Sequence, residues 1–146
     1  MSKKLSYRGR LDIGTEQRIT LRTMKGKVGY KITKFQLVSN TPGIGVQEFV
    51  GKITKIKDPN IGATVDFTDS NLMACAVQST HSSNLLLTET VIFDNEITNQ
   101  DIFVNITDAA GGTVQCNYFI ELETMELSDV ESTQLTLKSL RTIASQ

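Results

Sequence analysis

A chain of 146 residues with two cysteines is the size of one ordinary domain and can bury a core without metal or disulfide staples. Its net charge of −1 conceals a segregation, because 13 of the 15 Lys and Arg lie in residues 1–57 against three acids, whereas residues 58–146 carry 13 acids against two bases. The start has no apolar run of signal-peptide length, and no stretch approaches the roughly 20 apolar residues of a membrane span, so a soluble protein made in a cytoplasm is expected.

Thr, Ile and Val supply 41 residues. Their stiff, branched Cβ packs well on a pleated surface, which points to an all-β class. The expected fold is a single-domain antiparallel β-sandwich of jelly-roll or Greek-key type, with a short C-terminal helix or arm. Residues 1–16 read as a basic N-terminal arm or first strand, 17–127 as the sandwich and 128–146 as the terminal helix or arm. Turn chemistry recurs at short intervals, at Gly26, Thr41-Pro42-Gly43, Asp58-Pro59-Asn60, Thr68 to Asn71, Thr80 to Asn84, Asp94-Asn95 and Asp108 to Gly112.

In chain order, Arg18 to Thr23 alternates cleanly, with Ile19 and Leu21 on one face and both arginines on the other. From Tyr30 to Leu37 the apolar parity changes from even to odd, and it slips again between Ile53 and Ile56; each slip predicts a bulge or bend. Further strands are predicted at Val46 to Lys57, Ala63 to Phe67, Leu72 to Gln78, Leu85 to Phe93, Asp101 to Thr107 and Val114 to Leu127. In the last, Tyr118, Ile120 and Leu122 share one face, and Glu121 and Glu123 the other. Ser128 with Glu131 three residues on has the form of a capping box, after which Val130, Leu137, Leu140 and Ala144 fall near one helical stripe. An extended arm competes with the helix, because Leu135 and Leu137 also alternate. Cys75 and Cys116 sit in apolar strand contexts and read as buried thiols; a disulfide requires the fold to bring them together.

Little in the chain points to a reaction. One histidine, His81, stands in a polar loop, too little for a triad or a multi-histidine metal site. Asp66, Asp69 and Asn71 offer oxygens but lack the spacing and terminal glutamate of a calcium loop. Gly43 and Gly45 belong to no phosphate-binding fingerprint. Glu121 and Glu123 would serve as an acid and base pair only in a cleft, and otherwise read as a solvated strand face. Asn105-Ile106-Thr107 has the form of a glycosylation acceptor without a secretory signal beside it. No catalytic, cofactor-binding or metal-ligating residue is therefore assigned, and no cofactor is expected.

The basic segment carries most of the information. Lys3, Lys4, Arg8, Arg10 and the cations up to Lys34 are interleaved with Tyr7, Tyr30 and Phe35, a mixture that tracks phosphates and stacks bases in nucleic-acid-binding proteins. A sequence pI near 5.8 and an acidic remainder argue against that partner. The competing reading is internal. A Greek key lays an early strand beside the last, which would set Arg18 and Arg22 against Glu121 and Glu123 as cross-strand ion pairs worth about 0.2–1 kcal/mol each. Lys3, Lys4, Arg8 and Arg10 would then remain as the outward contact for an acidic partner.

Four segments, Tyr7-Arg8-Gly9-Arg10, Lys31 to Leu37, Phe93 to Val104 and Asn117 to Glu123, together resemble small virion proteins of marine tailed bacteriophages. The resemblance covers most of the chain and contains no catalytic motif. It implies a non-enzymatic structural protein of the virion, such as a jelly-roll capsid decoration or cement subunit. Such a subunit is present in many copies, contacts the major capsid protein and forms a homo-oligomer, with a trimer as one form. The terminal helix would dock on a partner subunit. The alternative is a tail- or fibre-associated module that binds a receptor or glycan, which the absence of Trp and the presence of three Tyr disfavour.

Overall fold

The computed structural model describes residues 3–42, 45–59, 61–80, 86–93 and 96–144. The predicted turn at Gly43, the Asp94-Asn95 turn and the His81 loop lie outside the described residues. Alternating apolar residues sort the chain into β1 (Lys3–Leu11), β2 (Thr15–Ile19), β3 (Val28–Ser39), β4 (Gln47–Thr54), β5 (Leu72–Thr80), β6 (Leu86–Ile92), β7 (Ile97–Thr98), β8 (Ile102–Asp108) and β9 (Cys116–Glu126), followed by α1 (Asp129–Ala144). The strands form two antiparallel sheets, in the orders β1-β9-β3-β7 and β2-β8-β4-β5-β6. This is the strand order of a jelly roll with β6 added as a hairpin at one edge. The first strand lies beside the last, as a Greek key requires.

Apolar side chains from the facing sides of both sheets meet in one core. Phe35, Ile120 and Leu122 come from the four-stranded sheet, and Phe49, Ile53, Met73, Ile102 and Ile106 from the five-stranded one. Each such side chain contributes about 1.5–3 kcal/mol by leaving water. The first parity slip is a bulge: the register of β3 against β9 shifts between Ile32 and Lys34, and the extra residue, Thr33, returns the following side chains to the buried face. The second is a bend: β4 ends at Thr54, its pairing with β8 runs without a shift through Ile53 and Thr54, and the extra residue where the β4–β5 register shifts, Met73, belongs to β5.

Three elements differ from the expectation. Regular pairing of the strand predicted from Arg18 ends at Ile19, because the backbone N–H groups of Leu21 and Arg22 both donate to Asp101 Oδ1, at 2.9 Å each, instead of to a neighbouring strand. Ile19 and Leu21 are nevertheless buried, as their alternation predicts. Residues 63–67 form no strand. Asp66 Oδ1 accepts from Thr68 N and Asp69 Oδ1 accepts from Asn71 N, local bonds that satisfy the backbone in turns, and Phe67 meets Phe93 edge-on with ring centroids 5.2 Å apart. The two-residue β7 is too short to show in a periodicity.

The terminus is a helix. Glu131 N donates to Ser128 Oγ at 3.1 Å and Ser128 N donates to Glu131 Oε1 at 3.2 Å, the reciprocal bonds of a capping box. The start of the chain is built into the sheet: residues 3–11 pair with β9 along their whole length, and residue 16 lies inside β2 rather than at a boundary. Cys75 on β5 and Cys116 on β9 occupy different sheets, and both are buried free thiols. Among the described residues no helix is long and apolar enough to cross a membrane.

Candidate docking face

The basic and acidic halves of the chain meet in the fold. Six ion pairs among the described residues, Lys4–Glu121, Arg18–Asp101, Lys27–Asp129, Lys34–Glu121, Lys52–Asp58 and Lys55–Glu96, each join a base from residues 1–57 to an acid from residues 58–146. The expected partners were wrong in detail. The strand beside β9 is β1, not β2, so Arg18 and Arg22 do not face Glu121 or Glu123. Arg18 lies in the opposite sheet, where its Nε donates to Asp101 Oδ2 at 2.7 Å. Arg22 lies beyond the end of β2, its side chain exposed and its backbone N–H held by Asp101. Burial raises the Asp101 pKa, but the hydrogen bonds from Arg22 N, Arg18 and Leu21 N outweigh it, leaving the carboxyl below the ordinary range.

Glu121 and Glu123 lie on the outer face of the four-stranded sheet, flanked by cations from both sides. Register places Lys4, Glu123 and Lys31 on one rung, and Ser6, Glu121 and Lys34 on the next. Glu121 lies 3.5 Å from Lys4 Nζ and 3.8 Å from Lys34 Nζ, and accepts from Thr33 Oγ1 at 3.0 Å. The Thr33 hydroxyl, released from regular pairing by the bulge, is the main reason that the Glu121 pKa is lowered, with Lys34 and Lys4 adding to it. An acid and base pair needs a cleft; these two carboxylates stand on an open face among lysines.

The character of the face changes along the same strands. On the next two rungs, Arg8 lies beside Phe119 and Gln36, and Arg10 beside Asn117 and Val38. Both arginines are exposed, and among the described residues neither makes a side-chain hydrogen bond or an ion pair. Together with half-buried Phe119 they line a wide hollow of about 640 Å³, also bounded by Gln36, Val38, Asn117 and Tyr118. Gly9 permits this arrangement. A Cβ there would stand 2.8 Å from the Tyr118 ring, which lies under β1 and donates its hydroxyl to Gln17 Oε1 across the sandwich at 2.7 Å. The neighbouring Lys3 backbone N–H is tied to Thr124 Oγ1, so β1 is anchored at the end away from the arginines.

The remaining chemistry-bearing residues fall elsewhere. A second cavity of about 370 Å³ is lined by Lys52, Asp58, Asp66, Asp69 and Asn71, among others. Lys52 Nζ is 3.1 Å from Asp58 and donates to Thr64 O at 3.3 Å, so the ammonium is committed to the loop that closes the cavity. Asp66 and Asp69 are engaged in their own turns, and among the described residues no three His, Cys, Asp or Glu side chains converge as ligands. Asn105, in the acceptor-like tripeptide, is fully buried and donates to Asp58 at 3.3 Å. It is inaccessible to a glycosylating enzyme.

The sequence reading passed over Phe119 and Asp101 as site residues, and it counted Lys31 and Lys34 in the basic segment without setting them beside Glu121 and Glu123. The signal for the two lysines was present: a strand with acids on one face needs cations on its neighbours, and the Lys31-Ile32-Thr33-Lys34 slip supplies them. Comparison with protein-family models and with curated proteins gives no match for this chain.

Proposed function

We propose that this chain is a non-enzymatic assembly protein, a capsid decoration or cement subunit of a tailed phage, that docks on an acidic shell surface through the outer face of β1, β9 and β3. The carrying observation is the placement of Arg8 and Arg10, unpaired among the described residues, beside Phe119 on a sheet whose adjoining rungs set Lys4, Lys31 and Lys34 among Glu121 and Glu123. Lys4, first counted with them, is committed to Glu121, and Lys3 alternates to the other side of β1 from the arginines, so the adhesive part of the basic segment narrows to Arg8 and Arg10. Guanidinium groups suit this role because their planar fork binds carboxylates bidentately and stacks on an aromatic ring. The jelly-roll order and the resemblance to virion proteins support the same reading, with the major capsid protein as partner and the virion as location.

The test is binding to purified capsid shells of the encoding phage. Arg8→Glu with Arg10→Glu should weaken binding by roughly 10- to 100-fold, equivalent to the loss of two rim charge contacts. Lys3→Ala should change little. Unchanged affinity and salt dependence in the double variant would sink the proposal, as would tight binding of the wild-type protein to DNA with no affinity for shells.

A further inference from the structure

Helix α1 is seated on its polar side. Ser132 is buried, and Leu135, Thr136 and Ser139 are half-buried against the end of the sandwich. There Asn99 Nδ2 shares its two hydrogens among Gly26 O, Ser132 O and Thr136 Oγ1, at 3.0, 3.3 and 3.0 Å. The apolar stripe points away from it. Val130 is 66% exposed, Leu137 46% and Leu140 58%, with Thr133 exposed between them. A surface helix ordinarily buries its apolar stripe in the core and shows water its polar side, so this orientation leaves an adhesive face uncovered.

Spacing and charge identify what covers it. Val130, Thr133, Leu137 and Leu140 recur at intervals of three and four, the seam along which one helix packs lengthwise on another. The ends of the helix carry opposite charge: Asp129, paired with Lys27, and Glu131, which also closes the capping box, in the first turn, Lys138 and Arg141 toward the end. A parallel bundle of identical helices would set acid beside acid and base beside base. An antiparallel pair sets the acidic start of each helix beside the basic end of the other and opposes their dipoles favourably. In that register, centred on residue 135, Val130 meets Leu140 of the other copy and Thr133 meets Leu137, so the seam is complementary to itself under a two-fold axis.

We propose that α1 is a dimerisation element, pairing antiparallel with α1 of a second copy of this chain through Val130, Leu137 and Leu140. The pairing is independent of the docking face on β1, β9 and β3, and it makes the expected homo-oligomer a two-fold dimer rather than a trimer.

Sedimentation equilibrium of the full chain, from micromolar to about 1 mM, should show a monomer–dimer equilibrium. Leu137→Asp with Leu140→Asp should abolish the dimer while leaving the circular dichroism spectrum and melting temperature of the fold intact, because both side chains are exposed in the monomer. Orientation is read by oxidation of variants that each carry one added cysteine. Positions 130 and 140 lie about 15 Å apart along a helix, far beyond the 4.4–6.8 Å that a disulfide spans between Cα atoms. Val130→Cys and Leu140→Cys should therefore cross-link when mixed and remain unlinked alone. The native thiols do not interfere, since both are buried, with raised pKa values and that of Cys116 pushed up to about 12. A monomer throughout the range, a trimer, or cross-links between identical positions would each overturn the proposal.

Discussion

Asp101 joins two segments far apart in sequence and is the sharpest test of how the fold is closed. Its carboxylate, 7% exposed, accepts from Leu21 N and Arg22 N at 2.9 Å each and from Arg18 Nε at 2.7 Å. Asp101→Ala removes all three acceptor contacts. Arg18 is 57% exposed and regains water, so its ion pair accounts for about 0–1 kcal/mol. The Leu21 N–H is buried and stays unsatisfied at a cost of about 1–3 kcal/mol, and the part-buried Arg22 N–H adds roughly 1 kcal/mol. The expected loss is about 2–5 kcal/mol. With a urea m value of about 2 kcal/mol/M, the midpoint should fall by about 1–2.5 M. Asp101→Asn keeps an oxygen for the backbone donors and should lose about half as much. The pKa of Asp101 is lower in the folded chain than the roughly 3.9 of an unfolded aspartate, so its stabilisation is fully present above about pH 4 and is lost as pH falls through the folded value. The Asn variant should show a shallower acid limb. A shift under about 0.5 kcal/mol for Asp101→Ala, or equal losses for Ala and Asn, would refute the account.

Two further outcomes follow from buried groups. Lys52→Met leaves the Asp58 carboxylate beside the cavity without its ammonium partner and should destabilise the fold by about 3 kcal/mol in urea titration, whereas Lys52→Met with Asp58→Leu should recover most of that loss. The thiols of Cys75 and Cys116 should resist a disulfide reagent at pH 8 in the native state and both react once urea unfolds the chain, because burial raises the pKa of each. Rapid reaction of either thiol before unfolding would contradict the burial.

Much of the strand content was legible because it depends on local periodicity. The parity slips at Tyr30 to Leu37 and Ile53 to Ile56 marked a real bulge at Thr33 and the bend that follows β4, since an apolar set that changes faces needs an extra residue or an end to the strand. Ser128 and Glu131 marked the helix start for the same local reason. The Ala63 to Phe67 strand failed because its alternation was real but its backbone was claimed by Asp66 and Asp69 turns. The ion-pair assignment failed one level higher. Greek-key reasoning correctly brought an early strand to β9, but nothing local says whether that strand is Lys3–Leu11 or Thr15–Ile19.

By itself the sequence determined the all-β class, the bulge in β3, the capped helix and the opposition of a basic half to an acidic half. These are written in side-chain type and spacing along one strand or one turn. Only the tertiary structure decided which base meets which acid, that Arg8 and Arg10 are left beside Phe119, and that the apolar stripe of α1 faces outward. Those outcomes depend on which strands become neighbours and on which face of a helix finds a partner first. The buried amide of Asn99, seated under Ser132 and Thr136, fixed the second choice against the helix's own hydrophobic preference.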